Sequence, residues 1–205
     1  MIISKTDIIA KIRKAIDDIA PSATDSFSDN TDEELWQAAF HAVQALEGEM
    51  PIEMMAVKAQ TSPTATGSAD GSGIISLAAD FLRFVSLKLT TWAGPVYNLI
   101  EPGSDDEMRQ RSAWGRGSAS KPKVLLEYDT TNDVFRLKYW LAGKTSGSYD
   151  HTIESLYYIP KAIQSATSIT TALKDTAEKS VIYQAAAIFF EGKKEPDTAD
   201  KFRNI

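Results

Sequence analysis

Apolar residues recur at helical spacing at both ends of the chain and alternate in its middle, and this change of period divides the sequence. Ile8, Ile9, Ile12, Ala15, Ile16 and Ile19 share one face over residues 4–20, while Lys11, Arg13, Lys14, Asp17 and Asp18 fill the other. That pattern predicts an amphipathic helix opened by a Ser4–Asp7 capping box and stopped by Pro21. A polar loop is expected at 22–30. A second helix then starts at Asn30 or Thr31, with Glu33 or Glu34 closing its box, and runs to Gly48. It should bury Leu35, Ala39, Val43 and Leu46, with Trp36 and Phe40 beside them.

The middle of the chain reads as strand. Residues 53–60 predict a first one, and 61–72 (TSPTATGSADGS) an excursion with no hydrophobic period. The densest apolar run lies within 73–100. There Phe81, Arg83, Val85, Leu87 and Leu89 alternate against Leu82, Phe84, Ser86, Lys88 and Thr90, which predicts a strand with one buried and one mixed face. Gly94-Pro95 turns the chain, and it resumes at Val96. Ser104, Asp105, Asp106 and Glu107 read as a helix start, followed by a short helix or turn to Trp114 and a break at Gly115-Arg116-Gly117. Residues 124–128 and 134–141 form a hairpin around 129–133, because Phe135, Leu137, Tyr139 and Leu141 alternate with Arg136, Lys138 and Trp140. A loop at 143–150 leads to a strand at 153–159, ended by Pro160.

Helical spacing returns at the C-terminal end. Ile169, Leu173, Ala177, Val181, Ala185, Ile188 and Phe189 keep one face over 169–191, with Ala185-Ala186-Ala187 small enough to admit a close neighbour. Gly192 ends this helix, and Pro196 opens a last one over 197–205 that carries Ala199 and Phe202. The expected fold is therefore α+β: helices of the N- and C-terminal segments form a bundle, and an antiparallel β-rich middle region with long loops is inserted into it. At 205 residues the length fits a single domain, with 1–50 and 161–205 as the bundle and 51–160 as the insertion.

Composition narrows the function classes. The chain has no cysteine, which removes thiol catalysis and thiolate metal sites and fits a reducing cytoplasm or a particle assembled there. Its net charge of −6 repels DNA as a whole, so a nonspecific duplex binder is not expected. No signal-peptide core follows Met1, and no apolar run approaches the ~20 residues a membrane span needs, so a soluble protein is expected. Against this acidic background Arg109, Arg111, Arg116, Lys121 and Lys123 gather around Trp114, the strongest local charge contrast and the first candidate for a partner-contact surface.

Candidate chemistry is sparse. His41 and His151 are isolated and lack a second histidine at ligand spacing. Glu33-Glu34 and Asp105-Asp106-Glu107 fall at helix starts, where the dipole favours negative charge. The glycines of 67–73 lack the Gly-Lys-Ser/Thr ending of a phosphate loop, and 129–133 lacks the glycine and distant Glu of a calcium loop. No catalytic, metal-binding or cofactor-binding residue emerges, and no cofactor is expected.

One resemblance goes further. Leu77-Ala78-Ala79-Asp80-Phe81-Leu82-Arg83, then Val85-Ser86-Leu87, Trp92, Pro95-Val96, Gln110, Arg116-Gly117 and Lys121-Pro122-Lys123-Val124, resembles a pattern of head-to-tail connector proteins of tailed phages. It is similar in particular to the adaptor or neck-ring proteins of crAss-like and related gut phages, with Ala78 where a proline is usual. The motif set is Leu77, Asp80, Phe81, Arg83, Trp92, Pro95, Gln110, Gly117 and Pro122, and the C-terminal helix pair is similar as well. The resemblance implies a virion structural subunit of the neck, assembled in the host cytoplasm. It implies a homo-oligomeric ring, a dodecamer on a twelvefold portal, with the portal and the next neck or tail ring as partners. Nonspecific contact with DNA in the channel would be a lesser role, and no membrane is involved. The competing expectations are a phage- or bacterium-encoded hydrolase and a monomeric protein-binding adaptor.

Overall fold

In chain order the elements are β1 (Ile2–Ser4), α1 (Lys5–Ile19), α2 (Thr31–Glu49), β2 (Lys58–Ala59), β3 (Ala65–Gly67), β4 (Gly73–Ser76), β5 (Phe81–Leu89) and α3 (Asp105–Gln110). They continue with β6 (Lys123–Asp129), β7 (Val134–Trp140), β8 (Ile153–Pro160), β9 (Ile163–Gln164), β10 (Ser168–Thr170), α4 (Glu178–Gly192) and α5 (Pro196–Arg203). The computed structural model describes residues 1–21, 31–67, 72–112, 115–141 and 150–204. The loop expected at 22–30, the Asn30 cap, nearly all of the loop at 143–150, and Trp114 lie outside the described residues. The fold is α+β, and it divides into a unit of Met1–Ala56 with Lys161–Ile205 and a second unit of Val57–Pro160.

The first unit is a helical bundle with a small antiparallel sheet of order β1-β10-β9. Ile8, Ile12 and Ile16 of α1, Leu35, Ala39 and Val43 of α2, and Val181 and Ala185 of α4 are all buried. Burial of each large side chain among them stabilises the fold by about 1.5–3 kcal/mol. Ala185, Ala186 and Ala187 are wholly buried, which fits the close packing of α4 on its neighbours.

Three expectations change here. Ser4 does not cap α1 with its hydroxyl, because it is the last residue of β1, opposite Ser168. The Thr167 carbonyl accepts from the Lys5 amide, the first of the helix, at 2.8 Å. The helix expected over 169–191 begins only at Glu178, after a short 3-10 turn. Ile169 lies in β10 opposite Ile3, so its helical spacing with Leu173 is incidental to a β-branched Ile-Thr-Thr run that pairs as a strand. In α2 the residue that turns inward is Glu47, 1% exposed, while Leu46 is only half-buried.

Among the described residues three donors meet Glu47. One carboxylate oxygen accepts from the Thr171 hydroxyl and, at 3.1 Å, from the Ala172 amide, and the other accepts from the Ala162 amide at 2.8 Å. The side chain thereby fastens α2 to the chain on both sides of β9 and β10.

The second unit has two antiparallel sheets, of order β2-β8-β5 and β3-β4-β7-β6. They share one core, built from Ile75, Leu77, Phe84, Leu87, Trp92, Val124, Leu137, Tyr139, Leu156 and Tyr158 among others. The strand expected at 53–60 shrinks to Lys58–Ala59, preceded by a 3-10 turn at Ile52–Met54, because Ile52, Met54 and Val57 find no buried face. Part of the unstructured excursion expected at 61–72 is ordered: Ala65–Gly67 pairs with Gly73–Ser76 as an exposed edge strand, which has no need of a hydrophobic period.

In β5 the expected alternation fails for a geometric reason. The register against β8 shifts between Phe81 and Arg83, Phe84 and Ser86, and Lys88 and Leu89. The first two shifts put an extra residue into β5 and reverse which parity faces the core, while the third puts the extra residue, Glu154, into β8. The buried apolar set is accordingly Phe81, Phe84, Leu87 and Leu89, and Arg83 and Val85 are only partly covered. The hairpin of β6 and β7 forms as expected, with Tyr128 opposite Phe135 and Leu126 opposite Leu137. Gly94-Pro95 turns the chain, and Val96 returns to exchange backbone hydrogen bonds of 2.8 and 3.0 Å with Leu87.

Replacing Glu47 by Ala strands three buried donors at about 1–3 kcal/mol each. Urea unfolding of Glu47→Ala should show a loss of about 3 kcal/mol or more; a loss below about 1 kcal/mol would contradict the role given to this carboxylate.

Candidate partner-contact surface

The basic stretch of the second unit is built on a short helix and a clipped loop. Ser104, extended at the helix start, accepts from the Glu107 amide with its hydroxyl at 3.3 Å, and the Glu107 carboxylate accepts from the Gly103 amide at 2.7 Å. This is the helix start expected from Ser104-Asp105-Asp106-Glu107. At the other end of α3, Gln110 is only 2% exposed. Its side-chain amide donates to the Asp106 and Gly115 carbonyls at 2.9 and 3.3 Å, and its oxygen accepts from the Gly117 amide at 2.8 Å. Gln110 therefore supplies the loop with hydrogen bonds that no regular element provides.

Gly117 has its own reason. A Cβ there would stand 2.7 Å from the Lys123 amide nitrogen, so only glycine lets the loop pass this close to the start of β6. Residues 118–121 then close a tight turn, with Ser118 and Lys121 exchanging backbone hydrogen bonds of 3.0 and 3.1 Å.

The five basic residues do not act as one patch. Lys123 pairs with Asp106 at 3.0 Å and Arg111 with Glu107 at 3.6 Å. The hydrogen bond from Lys123, then its charge and that of Arg109, hold the Asp106 carboxyl below the usual carboxylate range. Arg116 is half-buried and donates to the Gln110 carbonyl at 3.1 Å, so it belongs to the loop's framework. Arg109 and Lys121 are exposed, and among the described residues neither has a carboxylate within ion-pair distance. Lys121 also lines an open groove of about 800 Å³ between α3 and residues 95–101, with Tyr97, Leu99, Ile100, Glu101 and Asp105 among its walls.

The remaining motif residues fall mostly into the framework. Leu77, Phe81 and Trp92 are core side chains, and Trp92 meets the Tyr139 ring edge-on at 5.8 Å. Pro95 is exposed beside the turn, Pro122 is half-buried in the groove wall, and Arg83 lies on β5, partly covered. Asp80 accepts from Lys58 at 2.6 Å and from the Tyr158 hydroxyl at 2.7 Å, tying the turn before β5 to both other strands of its sheet. Burial pushes its carboxyl up, but the hydrogen bonds from Lys58 and Tyr158 outweigh that and hold it below its usual value.

Sequence reasoning missed the Lys58–Asp80–Tyr158 group, because its members are far apart in the chain and unremarkable singly. It also missed the hydrogen bond of 2.6 Å between the buried Tyr139 hydroxyl and His151 Nδ1. A signal for the latter was present in Gly73, where a Cβ would stand 2.2 Å from the Tyr139 oxygen. His41 is exposed on α2. Among the described residues no three His, Asp or Glu side chains are placed to hold a metal ion, and no helix is long and apolar enough to cross a membrane. No protein-family model matches this chain, and no curated protein matches it significantly.

Two measurements test this arrangement. In Gln110→Ala the Gly117 amide loses its acceptor, so its hydrogen exchange should accelerate by about 10-fold or more while the β6–β7 hairpin stays protected; an unchanged rate would remove Gln110 from its role. Asp80 has a folded pKa below its unfolded value of about 4, so its contribution is present above that pH and lost as pH falls through the folded pKa. Urea midpoints of the wild type should therefore drop more steeply than those of Asp80→Asn between about pH 5 and pH 2. Parallel profiles would contradict the assignment.

Proposed function

We propose that this chain is a noncatalytic structural subunit of a tailed-phage neck, a head-to-tail connector that closes into a ring between the portal and the next neck or tail ring. The order and spacing of the motif from Leu77 to Lys123 support this reading. The observation that carries it is the division into a bundle made from both chain ends and an inserted β-rich unit in which, among the described residues, Arg109 and Lys121 are exposed and form no ion pair. The bundle docks on the portal, and the inserted unit reaches neighbouring copies. In a protein of net charge −6, two exposed cations with no ion pair among the described residues are best matched by acidic protein surface, and contact with DNA in the channel is secondary. Ring closure by identical copies requires heterologous contacts, with different surfaces meeting at each junction; the portal's twelvefold symmetry makes the ring a dodecamer. The protein works in the virion neck after assembly in the host cytoplasm.

Arg109→Ala combined with Lys121→Ala should weaken assembly on a portal ring by about 10-fold, with unchanged circular dichroism. Sedimentation of mixed components reads the effect. Wild-type affinity in the double variant would remove these cations from the interface.

A further inference from the structure

The second unit begins with a segment that buries nothing. None of the residues 57–64 is buried, and only Gln60 and Pro63 are half-buried. β2 lies within this segment, with both of its side chains exposed. Its two ends are firmly held. Before it Met55, 2% exposed, bridges Leu173, and the Ala56 amide donates to the Ala172 carbonyl at 2.6 Å. After it Ala65 pairs with Ile75 in β4.

Between those anchors the fasteners are polar. Lys58 and Ala59 pair with Tyr158 and Tyr157, and the Gln60 amide donates to the Leu156 carbonyl at 2.9 Å. The Gln60 side chain donates to the Ser76 carbonyl at 2.9 Å and accepts from the Ala78 amide at 3.2 Å. Lys58 donates to Asp80 at 2.6 Å, with its ammonium 5.7 Å from the centre of the Tyr158 ring. Because Asp80 also accepts from the Tyr158 hydroxyl, its carboxylate sits where the segment, the turn before β5 and β8 meet.

Water replaces contacts of this kind at small net cost, whereas a packed apolar core resists opening. Leu156, Tyr158 and Ile159 of β8 are buried, and the other edge of β8 is paired with β5 from Phe81 to Leu89. β8 therefore keeps its place when the segment leaves. The link towards β3 favours departure, since Ser62 is held at φ 48°, a left-handed conformation that is unfavourable for serine and that a freed segment abandons.

We infer that residues 57–64 form a strap that lifts from β8 as one piece while the rest of the second unit stays folded, and that the Asp80 carboxylate is its catch. β8 lies between β2 and β5, so lifting the strap turns β8 into an edge strand. The Leu156 carbonyl and the backbone beside the exposed Tyr157 then open to another extended chain. Held down, the strap guards that edge.

Native-state hydrogen exchange of the whole chain, followed by NMR at one pH, tests both statements. In the wild type the Gln60 and Ala78 amides should show protection at least about 100-fold below that of the Leu137 amide in β7, and low urea should leave their exchange unchanged. Equal protection at Gln60 and Leu137 would overturn the strap. Lys58→Met keeps an apolar stem over the Tyr158 ring and removes the ion pair, and Asp80→Asn removes the charge from the other side. Each should lower the protection of Gln60 and Ala78 by about 5-fold. Unchanged protection in either variant would overturn the catch.

Discussion

One buried carboxylate sets the condition under which the first unit can accept an insertion. Glu47 leaves the end of α2 and binds the Ala162 amide, the Thr171 hydroxyl and the Ala172 amide, the stretch where the chain re-enters after the β-rich unit. A carboxylate out of water is costly unless its lone pairs are filled, and here three donors fill them. Beside it the Ala56 amide donates to the Ala172 carbonyl at 2.6 Å, and Met55 bridges Leu173, so the departing and returning strands are locked together. On the other side of the junction β2 and β8 pair Lys58 with Tyr158 and Ala59 with Tyr157. Each unit thus closes its own ends, which is what allows a long excursion from the middle of a bundle without a large loop-closure cost.

The inserted unit obeys a different constraint. Its two sheets share a single core, yet β5 can contribute only because its bulges rotate Phe84 inward and leave Arg83 and Val85 half-covered. The same irregular strand carries Val96 on its outer edge and therefore fixes where the Tyr97 segment runs. Framework and exposed surface are coupled here. Gln110 and Gly117 shape the basic loop from inside, and Arg109, Arg111 and Lys121 stand outside it.

Much of this was legible in the residue order. The helices at both ends, the β6–β7 hairpin, the turn at Gly94-Pro95 and the Ser104 helix start follow from local periodicity and local capping, which a single sequence displays. What was hidden depended on distant partners. The Ser4–Asp7 pattern looked like a cap, but Ser4 ends a strand opposite Ser168 and makes no cap bond, and Ile169 kept helical spacing while pairing with Ile3. The inward turn of Glu47 instead of Leu46 reverses hydrophobic order and makes sense only once Thr171 and Ala172 stand beside it. Alternation in β5 misled because bulges leave no mark in the composition of a strand. The basic cluster read as one surface, and ion pairs with Asp106 and Glu107 divided it.

The proposed connector role needs many copies to act as one object, and its central claim is about number and closure. Native mass spectrometry of this chain bound to its portal measures both directly. The account predicts a single closed species with twelve copies per portal ring; a substoichiometric, variable number of bound chains, or a chain that remains monomeric beside the portal, would contradict it.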